Sequence, residues 1–271
     1  MPELPEVETT RLGIEPHVLG QTISKVIVRN RQLRWPVPAT LNSRLQGEKI
    51  EKVDRRGKYI LLQVAQGTTL IHLGMSGSLR IVEASVAPEK HDHVDLVLTN
   101  GKSLRMRDPR RFGSVLWAGK EPFQHKLLKE LGPEPLEENF TGDYLYALSR
   151  RRSQAIKTFI MDSHKVVGVG NIYASESLFR CGIHPLRAAG KISKQRYEKL
   201  VVAIKQVLND AIYNGGTTLR DFVNEAGEPG YFAQKLNVYG RNNEPCYLCK
   251  NPVRQIVLSQ RSTFYCPHCQ R

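Results

Sequence analysis

The chain has 271 residues, 40% of them hydrophobic, which is enough for a packed core and for about two domains. Its 40 Lys and Arg residues outnumber its 26 Asp and Glu, and the net charge of +14 makes polyanions the expected partners. Acidic residues interrupt the start of the chain, and no uncharged apolar run reaches the roughly 18 residues of a membrane span. We therefore expect neither a signal peptide nor a membrane protein.

The first six residues, Met-Pro-Glu-Leu-Pro-Glu, place an amine beside two carboxylates. Aminopeptidases usually remove Met1 when a small residue such as Pro2 follows, and removal exposes a secondary amine. An α-amino group titrates below a lysine side chain, so more of it is nucleophilic at neutral pH. Its product with a sugar carbon is an iminium that stays cationic, as an elimination requires. The alternative is that Pro2 is incidental and that Glu3 and Glu6 are ordinary acids of a helix start.

Helical spacing of apolar residues predicts a helix over residues 4–19, which Gly20 ends. From about residue 21 to 118 the pattern changes to short β-type runs separated by glycine turns. Many short strands without long helices predict a β-sandwich or barrel-like domain against which the first helix packs. The runs are Ile23–Val28, Tyr59–Val64, 69–73, 94–98 and 114–117.

The second half of the chain is predicted to be helical. The stretch 131–136, Leu-Gly-Pro-Glu-Pro-Leu, breaks both patterns and predicts a domain boundary. An apolar stripe then runs at helical spacing over residues 197–212, opened by Ser193 and closed by Gly215 and Gly216. We predict an α+β multidomain chain: a β-sandwich domain over residues 1–131, a helical domain over 132–235 and a cysteine module over 236–271.

Residues 168–173, Gly-Val-Gly-Asn-Ile-Tyr, lie between helical segments and could present backbone N–H groups and the Asn171 amide to a phosphate. This is not a dinucleotide fingerprint, because no strand clearly precedes it and Tyr173 replaces the third glycine. Simple capping of the next helix by Asn171 is the alternative.

Four of the five cysteines form two C-x-x-C pairs sixteen residues apart, the spacing of thiolates around one tetrahedral zinc. We expect one Zn²⁺ per chain in a reduced, intracellular protein, with Cys181 standing apart. The residues between the pairs predict a β-hairpin with Arg261 at its tip. The alternative is a purely structural knuckle on which Arg261 is only solvated. The four ligands are Cys246, Cys249, Cys266 and Cys269.

Three basic clusters, at residues 55–58, 105–111 and 150–152, suit phosphate contacts, although a solvated surface is their usual explanation. Met75 in a glycine turn and Phe112 after two arginines could be wedges that open stacked bases. Core packing is the more common role of both residue types.

Taken together, these motifs resemble the formamidopyrimidine-DNA glycosylases over essentially the whole chain. The resemblance implies a β-sandwich, a helix-two-turn-helix domain and a C-terminal zinc finger. It also implies a bacterial base-excision enzyme that removes oxidised purines and cuts the strand at the abasic site. The motifs are residues 2–6 (PELPE), 56–59 (RGKY), 72–75 (HLGM), 108–113 (DPRRFG), 168–173 (GVGNIY) and the four cysteines.

The resemblance also implies residue roles. Pro2 would attack C1′ of the damaged nucleotide, and Glu3 would be the general acid that opens the deoxyribose, supported by Glu6. Lys58 would be the proton donor for β-elimination and Arg261 the donor for δ-elimination. The implied DNA-binding residues are His72, Met75, His91, Arg110, Phe112, Arg151, Asn171 and Tyr239.

One position departs from the family pattern, since three arginines stand at 150–152 where relatives often carry lysines. Arginine prefers planar, bidentate partners, so the contact made by Arg151 is less closely specified. The catalytic motifs show no departure.

Two alternatives remain open from the sequence. An endonuclease VIII-like glycosylase for oxidised pyrimidines shares the fold and the proline start, but Leu4 in PELPE favours the purine enzyme. A non-catalytic, zinc-dependent DNA-binding protein would explain the charge and the finger, yet it has no use for a proline terminus. We expect damaged duplex DNA as the partner of a monomer without a nucleotide cofactor, in the bacterial cytoplasm and associated with the nucleoid.

Overall fold

The computed structural model describes residues 2–216 and 236–271, and these form two compact units. The first unit contains residues 2–129 and 214–216, and the second contains residues 130–213 and 236–271. The boundaries expected at 131/132 and 235/236 stay predictions. Among the described residues, no helix is long and apolar enough to cross a bilayer.

The first unit is a sandwich of two four-stranded antiparallel sheets. One sheet has the order β1-β6-β7-β5 and the other β2-β3-β4-β8. The strands are β1 Ile23–Val28, β2 Lys52–Arg56, β3 Tyr59–Val64, β4 Gly67–His72, β5 Ser78–Glu83, β6 Asp92–Leu98, β7 Lys102–Arg107 and β8 Ser114–Gly119. The helices of this unit are α1 Leu4–Val18, α2 Leu41–Leu45 and a 3₁₀ turn, Pro122–Gln124.

A single apolar core joins these elements. Inward-facing residues of both sheets, such as Ile60, Ile71, Leu96 and Leu104, pack with Ile14 of α1 and are at most 2% exposed. Burial of this kind contributes about 25 cal/mol per Å² of apolar surface, which favours packing of the two sheets face to face. The predicted sandwich with its packed N-terminal helix is confirmed.

The sequence runs do not include three of the strands, β2, β5 and β7, and of these β2 and β7 carry many charged residues. In β7, Arg105 is only 2% exposed and is hydrogen-bonded to Asp95 of the neighbouring β6 at 2.9 Å. Cross-strand pairing of opposite charges therefore replaces the apolar alternation on which sequence reasoning depends.

The second unit consists of helices followed by a two-stranded hairpin. Its helices are α3 Gly142–Ser149, α4 Ile156–Ile160, α5 Asn171–Arg180, a 3₁₀ turn Ala189–Lys191 and α6 Lys194–Tyr213, and the hairpin strands are β9 Arg254–Leu258 and β10 Arg261–Tyr265. The predicted stripe is buried along α6, with Ile212 half-buried at its end. The predicted stop is also present, since Gly215 and Gly216 have φ of 74° and 83°.

Candidate active site and nucleic-acid interface

Pro2, Glu3 and Glu6 are all buried at the start of α1, where the two carboxyl groups are at most 2% exposed. The Glu3 backbone N–H donates to Glu6 Oε2 at 2.8 Å, so Glu6 does support the helix start, as the sequence alternative held. A Cβ on Gly216 would lie 3.2 Å from Glu6 Cγ, and its φ of +83° also favours glycine. The Glu6 side chain is therefore fixed on both sides, and Glu3 is held next to Pro2.

Lys58 lies in the two-residue turn between β2 and β3, beside His72 at the end of β4. Tyr59 pairs with His72 across the sheet, with ring centroids 4.9 Å apart. Burial lowers the pKa of His72 to about 4, and the charges of Lys58 and Arg34 act in the same direction. The Gly74 N–H donates to His72 Nδ1 at 3.0 Å, which places the imidazole proton on Nε2. His72 is thus a neutral hydrogen-bond donor at pH 7.

Met75, Arg110 and Phe112 come together on two adjoining loops. We call residues 73–77 the Met75 turn and residues 108–113 the Arg110 loop. Met75 is half-buried, and Phe112 is 41% exposed with the Arg110 guanidinium 4.9 Å from its ring centre. Core packing, the sequence alternative for Phe112, is therefore wrong. The exposed guanidinium and ring form a small projecting surface, as a wedge into stacked bases requires.

Two of the three basic clusters contain an arginine that supports the fold. In the cluster at 105–111, Arg105 is buried, and hydrogen bonds from Arg29 and Arg105 lower the pKa of Asp95 although burial opposes this. In the cluster at 150–152, Arg150 lies 3.8 Å above the Tyr146 ring and donates to backbone carbonyls. Arg105 and Arg150 support the fold. Arg151 is exposed with φ of +60°, so its side chain points to solvent from a turn.

Asn171 joins helix α5 to the zinc hairpin instead of capping the helix. The N-cap residue is Gly170, so the capping alternative is wrong. The Asn171 Nδ2 donates to the Ser262 carbonyl at 2.8 Å, and its Oδ1 accepts from Lys157 Nζ at 2.6 Å. Lys157 is 1% exposed and also donates to Thr263 Oγ1 at 2.7 Å. Sequence reasoning missed Lys157, although a lysine among the apolar residues of a short helix was a signal.

Tyr239 is positioned by a second residue that the sequence did not reveal, Glu176 of α5. The Glu176 carboxylate is 1% exposed and accepts hydrogen bonds from the backbone N–H groups of residues 237–239 at 2.8 to 2.9 Å. The Tyr239 ring packs edge-on against Phe264 of β10, with centroids 5.0 Å apart. The Tyr239 hydroxyl also accepts from Asn171 Nδ2 at 3.4 Å, which links it to the hairpin contact of Asn171.

A cavity of about 230 Å³ lies within the second unit, beside the tip of the zinc hairpin. Ser259 and Gln260 at the tip have φ of 49° and 62°, as the tight hairpin turns that match strand twist require, and Arg261 follows them. The cationic groups of Lys157 and Arg261 favour an anion such as a phosphate in this cavity, whereas the Asp162 carboxylate, which is paired with Lys165, opposes one. The lining residues are Lys157, Thr158, Met161, Asp162, Asn171, Leu258, Ser259 and Arg261.

The four cysteines of the two C-x-x-C pairs form a metal site. Their Sγ atoms all lie within 4.8 Å of one another, and Cys249 Sγ is 3.4 Å from Cys266 Sγ. Thiolates about 2.3 Å from one tetrahedral zinc lie about 3.8 Å apart, so the residues fit that ion. Cys181 is separate: its Sγ donates to the Ser177 carbonyl at 3.1 Å, and burial raises its pKa to about 12.

The sandwich with its buried proline start, the helical unit and the zinc hairpin define a zinc-finger DNA-repair glycosylase. Comparison with known proteins agrees over the whole chain. Residues 1–115 match the N-terminal domain of formamidopyrimidine-DNA glycosylase, residues 131–223 its H2TH domain, and residues 243–271 the zinc finger found in FPG and IleRS. The formamidopyrimidine-DNA glycosylase of Stutzerimonas stutzeri is 59% identical over 271 residues, which are 100% of both chains.

Two solved structures extend the comparison to three dimensions. The MutM (FPG) protein of Thermus thermophilus is 37% identical, with a TM-score of 0.89 over 99% of this chain and 98% of that one. Wild-type Lactococcus lactis Fpg in complex with N7-benzyl-Fapy-dG-containing DNA is 30% identical, with a TM-score of 0.92 over 100% of both chains. The chain belongs to the formamidopyrimidine-DNA glycosylase family, whose members are DNA glycosylases with AP lyase activity. The non-catalytic alternative is thereby set aside.

Proposed function

We propose that this chain removes oxidised purines, namely 8-oxoguanine and formamidopyrimidines, from duplex DNA and then cleaves the strand at the abasic site. The observation that carries the proposal is the start of α1, where Pro2 and two buried carboxyl groups adjoin. The names of the relatives and the damaged DNA in the Lactococcus lactis complex support the substrate class. The family name favours purine lesions over oxidised pyrimidines, although Lactococcus lactis Fpg has also been solved with DNA that contains an oxidised pyrimidine.

The nucleophile is the Pro2 nitrogen. While Met1 is attached this nitrogen is an amide, so removal of Met1 is the first requirement. The secondary amine then attacks C1′ of the damaged nucleotide, the bond from C1′ to the base breaks, and the base leaves with a proton. Glu3 donates a proton to the ring oxygen as the deoxyribose opens, which leaves an iminium between Pro2 and C1′. Glu6 holds the backbone of Glu3 in place for this transfer.

Strand cleavage follows from the iminium. Loss of a C2′ proton moves an electron pair toward the cationic nitrogen, and the bond from C3′ to its phosphate oxygen breaks. A second elimination releases the 5′ phosphate in the same way, and water then frees Pro2. We assign Lys58 to the first elimination and Arg261 to the second, because Lys58 lies in a turn and Arg261 directly follows one, and each is a cationic proton donor that also suits a phosphate.

Each unit contributes its own phosphate contacts to the proposed complex. In the first unit, the neutral His72 donates to a phosphate through Nε2, and His91 and the cation of Lys58 make further contacts with the DNA. In the second unit, the cavity beside Asn171 and Arg261 receives a phosphate, and Arg151 and Tyr239 are assigned further contacts with the DNA. Such contacts release counterions, so binding weakens steeply with salt.

Excision requires the damaged nucleotide to leave the stack, at a cost of a few kcal/mol. We assign Met75, Arg110 and Phe112 to the vacated space, with Arg110 reaching the opposite cytosine. Their position on two adjoining, partly exposed loops supports this assignment. We further propose that the protein works as a monomer on damaged DNA, in the bacterial cytoplasm and on the nucleoid.

The test is covalent trapping with borohydride, which reduces the iminium to a stable amine. Protein whose Met1 is verified as removed is mixed with duplexes that contain 8-oxoguanine opposite cytosine, a formamidopyrimidine or an oxidised pyrimidine. We expect efficient trapping on the two purine lesions and at least about tenfold less on the pyrimidine. Absence of trapping on every duplex would refute amine catalysis, and preference for the pyrimidine would make the chain endonuclease VIII-like.

A further inference from the structure

Asp108 lies where the Met75 turn and the Arg110 loop meet, and it has no role in the chemistry described above. Its carboxyl group is 0% exposed and contacts both segments. Oδ1 accepts a hydrogen bond from Ser76 Oγ at 3.1 Å, and Oδ2 accepts one from the Gly113 N–H at 2.7 Å. One side chain therefore fastens the residue after Met75 to the residue after Phe112.

Ser76 extends this connection to Arg110 itself. The Ser76 hydroxyl donates to Asp108 and accepts from the Arg110 backbone N–H at 3.3 Å. A buried hydroxyl that both donates and accepts fixes the backbone on each side, because loss of either partner leaves a buried polar group unsatisfied. The position of Arg110 is thus set from the Met75 turn.

The backbones of the two segments touch, which leaves them no room to move independently. A Cβ on Gly74 would lie 2.4 Å from Gly113 N and from Phe112 C, and a Cβ on Gly113 would lie 2.7 Å from the His72 carbonyl. Gly74 has φ of +67°, and Arg111 adopts φ of +58° without being glycine. A left-handed residue other than glycine persists where its surroundings hold it, and here the Arg111 N–H donates to the Asp108 carbonyl at 3.2 Å.

The backbone of Asp108 also reaches His91, a further residue of the proposed DNA interface. The Asp108 N–H donates to the His91 carbonyl at 3.0 Å, and His93 Nε2 lies 2.8 Å from the Asp108 carbonyl. Asp108 therefore contacts, directly or through one residue, every segment of the first unit to which we assign base eversion.

We propose that Asp108 is a positioning residue that holds Met75, Arg110 and Phe112 as one preformed unit for the space left by the everted nucleotide. The inference rests on the proposed function of these three side chains. A wedge whose parts are ordered in advance enters the stack without a further loss of conformational freedom, whereas separate loops would have to be ordered in the complex. Asp108 touches neither the sugar nor Pro2 in this assignment.

The experiment compares two substrates that differ only in the base opposite the lesion, which Arg110 contacts in the proposed complex. One duplex has 8-oxoguanine opposite cytosine, and the other has it opposite a tetrahydrofuran abasic analogue, which offers Arg110 no base to contact. In Asp108→Asn one oxygen becomes an NH₂ group, which faces either the Ser76 hydroxyl or the Gly113 N–H. We expect kcat/KM on the first duplex to fall by about ten- to a hundredfold, and on the second by less than about threefold.

A milder variant covers the case in which Asp108→Asn does not fold. Ser76→Ala removes the bridge to Arg110 alone, and we expect a loss of about three- to tenfold with the same substrate selectivity. The matched control is Ser103→Ala, a buried serine of β7 whose Oγ donates to the Leu96 carbonyl at 3.4 Å. This control is expected to change both substrates equally.

Equal losses on the two duplexes for Ser76→Ala and for a folded Asp108→Asn would overturn the positioning role. Failure of the proposed function looks different, because wild-type protein would then give no borohydride adduct with either duplex. Selective loss together with normal trapping of wild-type protein supports both.

Discussion

The two units hold their proposed DNA-contacting side chains in place by different means. In the first unit these side chains lie on the Met75 turn and the Arg110 loop, and in the second they lie on the zinc hairpin. Each presents exposed side chains to DNA and must hold them still. In the first unit a buried carboxyl group and two glycines lock two loops that rise from a sandwich with a large core. The hairpin has only a small apolar cluster, in which Val253 and Phe264 pack with Phe179 of α5, and it relies mainly on thiolates around zinc. The loops of the first unit are thus held by buried hydrogen bonds and close backbone packing, and the hairpin of the second unit is held by metal coordination.

Removal of zinc is expected to have the largest effect, because metal coordination supplies about 10 kcal/mol or more of folding free energy in zinc-finger peptides. We expect chelation, or Cys249→Ser, to weaken lesion-DNA binding by more than about a hundredfold while the first unit keeps its thermal transition. The measurement is fluorescence anisotropy at fixed salt together with the zinc content. The matched control is Cys181→Ser, which alters a cysteine outside the metal site. Unchanged binding after confirmed metal loss would contradict the comparison.

Substitution of Glu3 tests catalysis by the first unit separately from DNA binding by the second. Loss of a general acid typically costs about 10²–10⁴-fold in rate, so we expect Glu3→Gln to reduce base excision by about that factor. DNA binding should change by less than about threefold, the opposite pattern to zinc removal. Glu15→Gln on the same helix, whose carboxylate pairs with Arg11 at 2.8 Å, serves as the control and should retain full excision.

The sequence predicts the zinc ligands and several strands but not the long-range side-chain contacts, and the reason is physical. The zinc ligands are visible in the sequence because Cys246 and Cys249 lie within one turn of chain. The strands β1 and β3 are visible because each is a short, mostly apolar run. Asp108 and Ser76 are 32 residues apart, and Lys157 and Thr263 are 106 apart, so only the fold brings these partners together. Arg105 shows the converse, since its charge suggested a phosphate contact and its buried pairing with Asp95 could not be read from composition.

Lys157 gives the hairpin an attachment that does not depend on the metal. In Lys157→Met the hydrogen bonds to Asn171 and Thr263 are lost, and charge-assisted bonds of this kind contribute about 1.5–3 kcal/mol. We expect lesion-DNA binding to weaken by about tenfold and the share of δ-elimination product to fall, with zinc retained. The control is Lys205→Met, a half-buried lysine that donates to the Glu137 carbonyl. Unchanged binding and product ratio would show that Lys157 is not needed to hold the hairpin.

The smallest expected effect is the pH dependence of the stability of the first unit. Because the pKa of His72 is lowered from 6.5 to about 4 in the folded protein, the unfolded chain binds more protons between these values. Acidification through that window therefore destabilises the fold. In His72→Gln we expect the loss of unfolding free energy between pH 7 and pH 4.5 to be smaller by about 1 to 3 kcal/mol. Denaturant unfolding of both proteins at pH 7 and pH 4.5 measures the difference. Parallel pH profiles would mean that His72 is not held neutral.

The central claim is that the amine of Pro2 forms the covalent bond to the damaged nucleotide. The most direct measurement is mass spectrometry of the borohydride-trapped complex after digestion, with the modified residue located by fragmentation. We predict that the sugar remnant is found on the Pro2 nitrogen of chains that have lost Met1. A remnant attached to Lys58 or another lysine, or full activity in chains that still begin with Met1, would contradict the account.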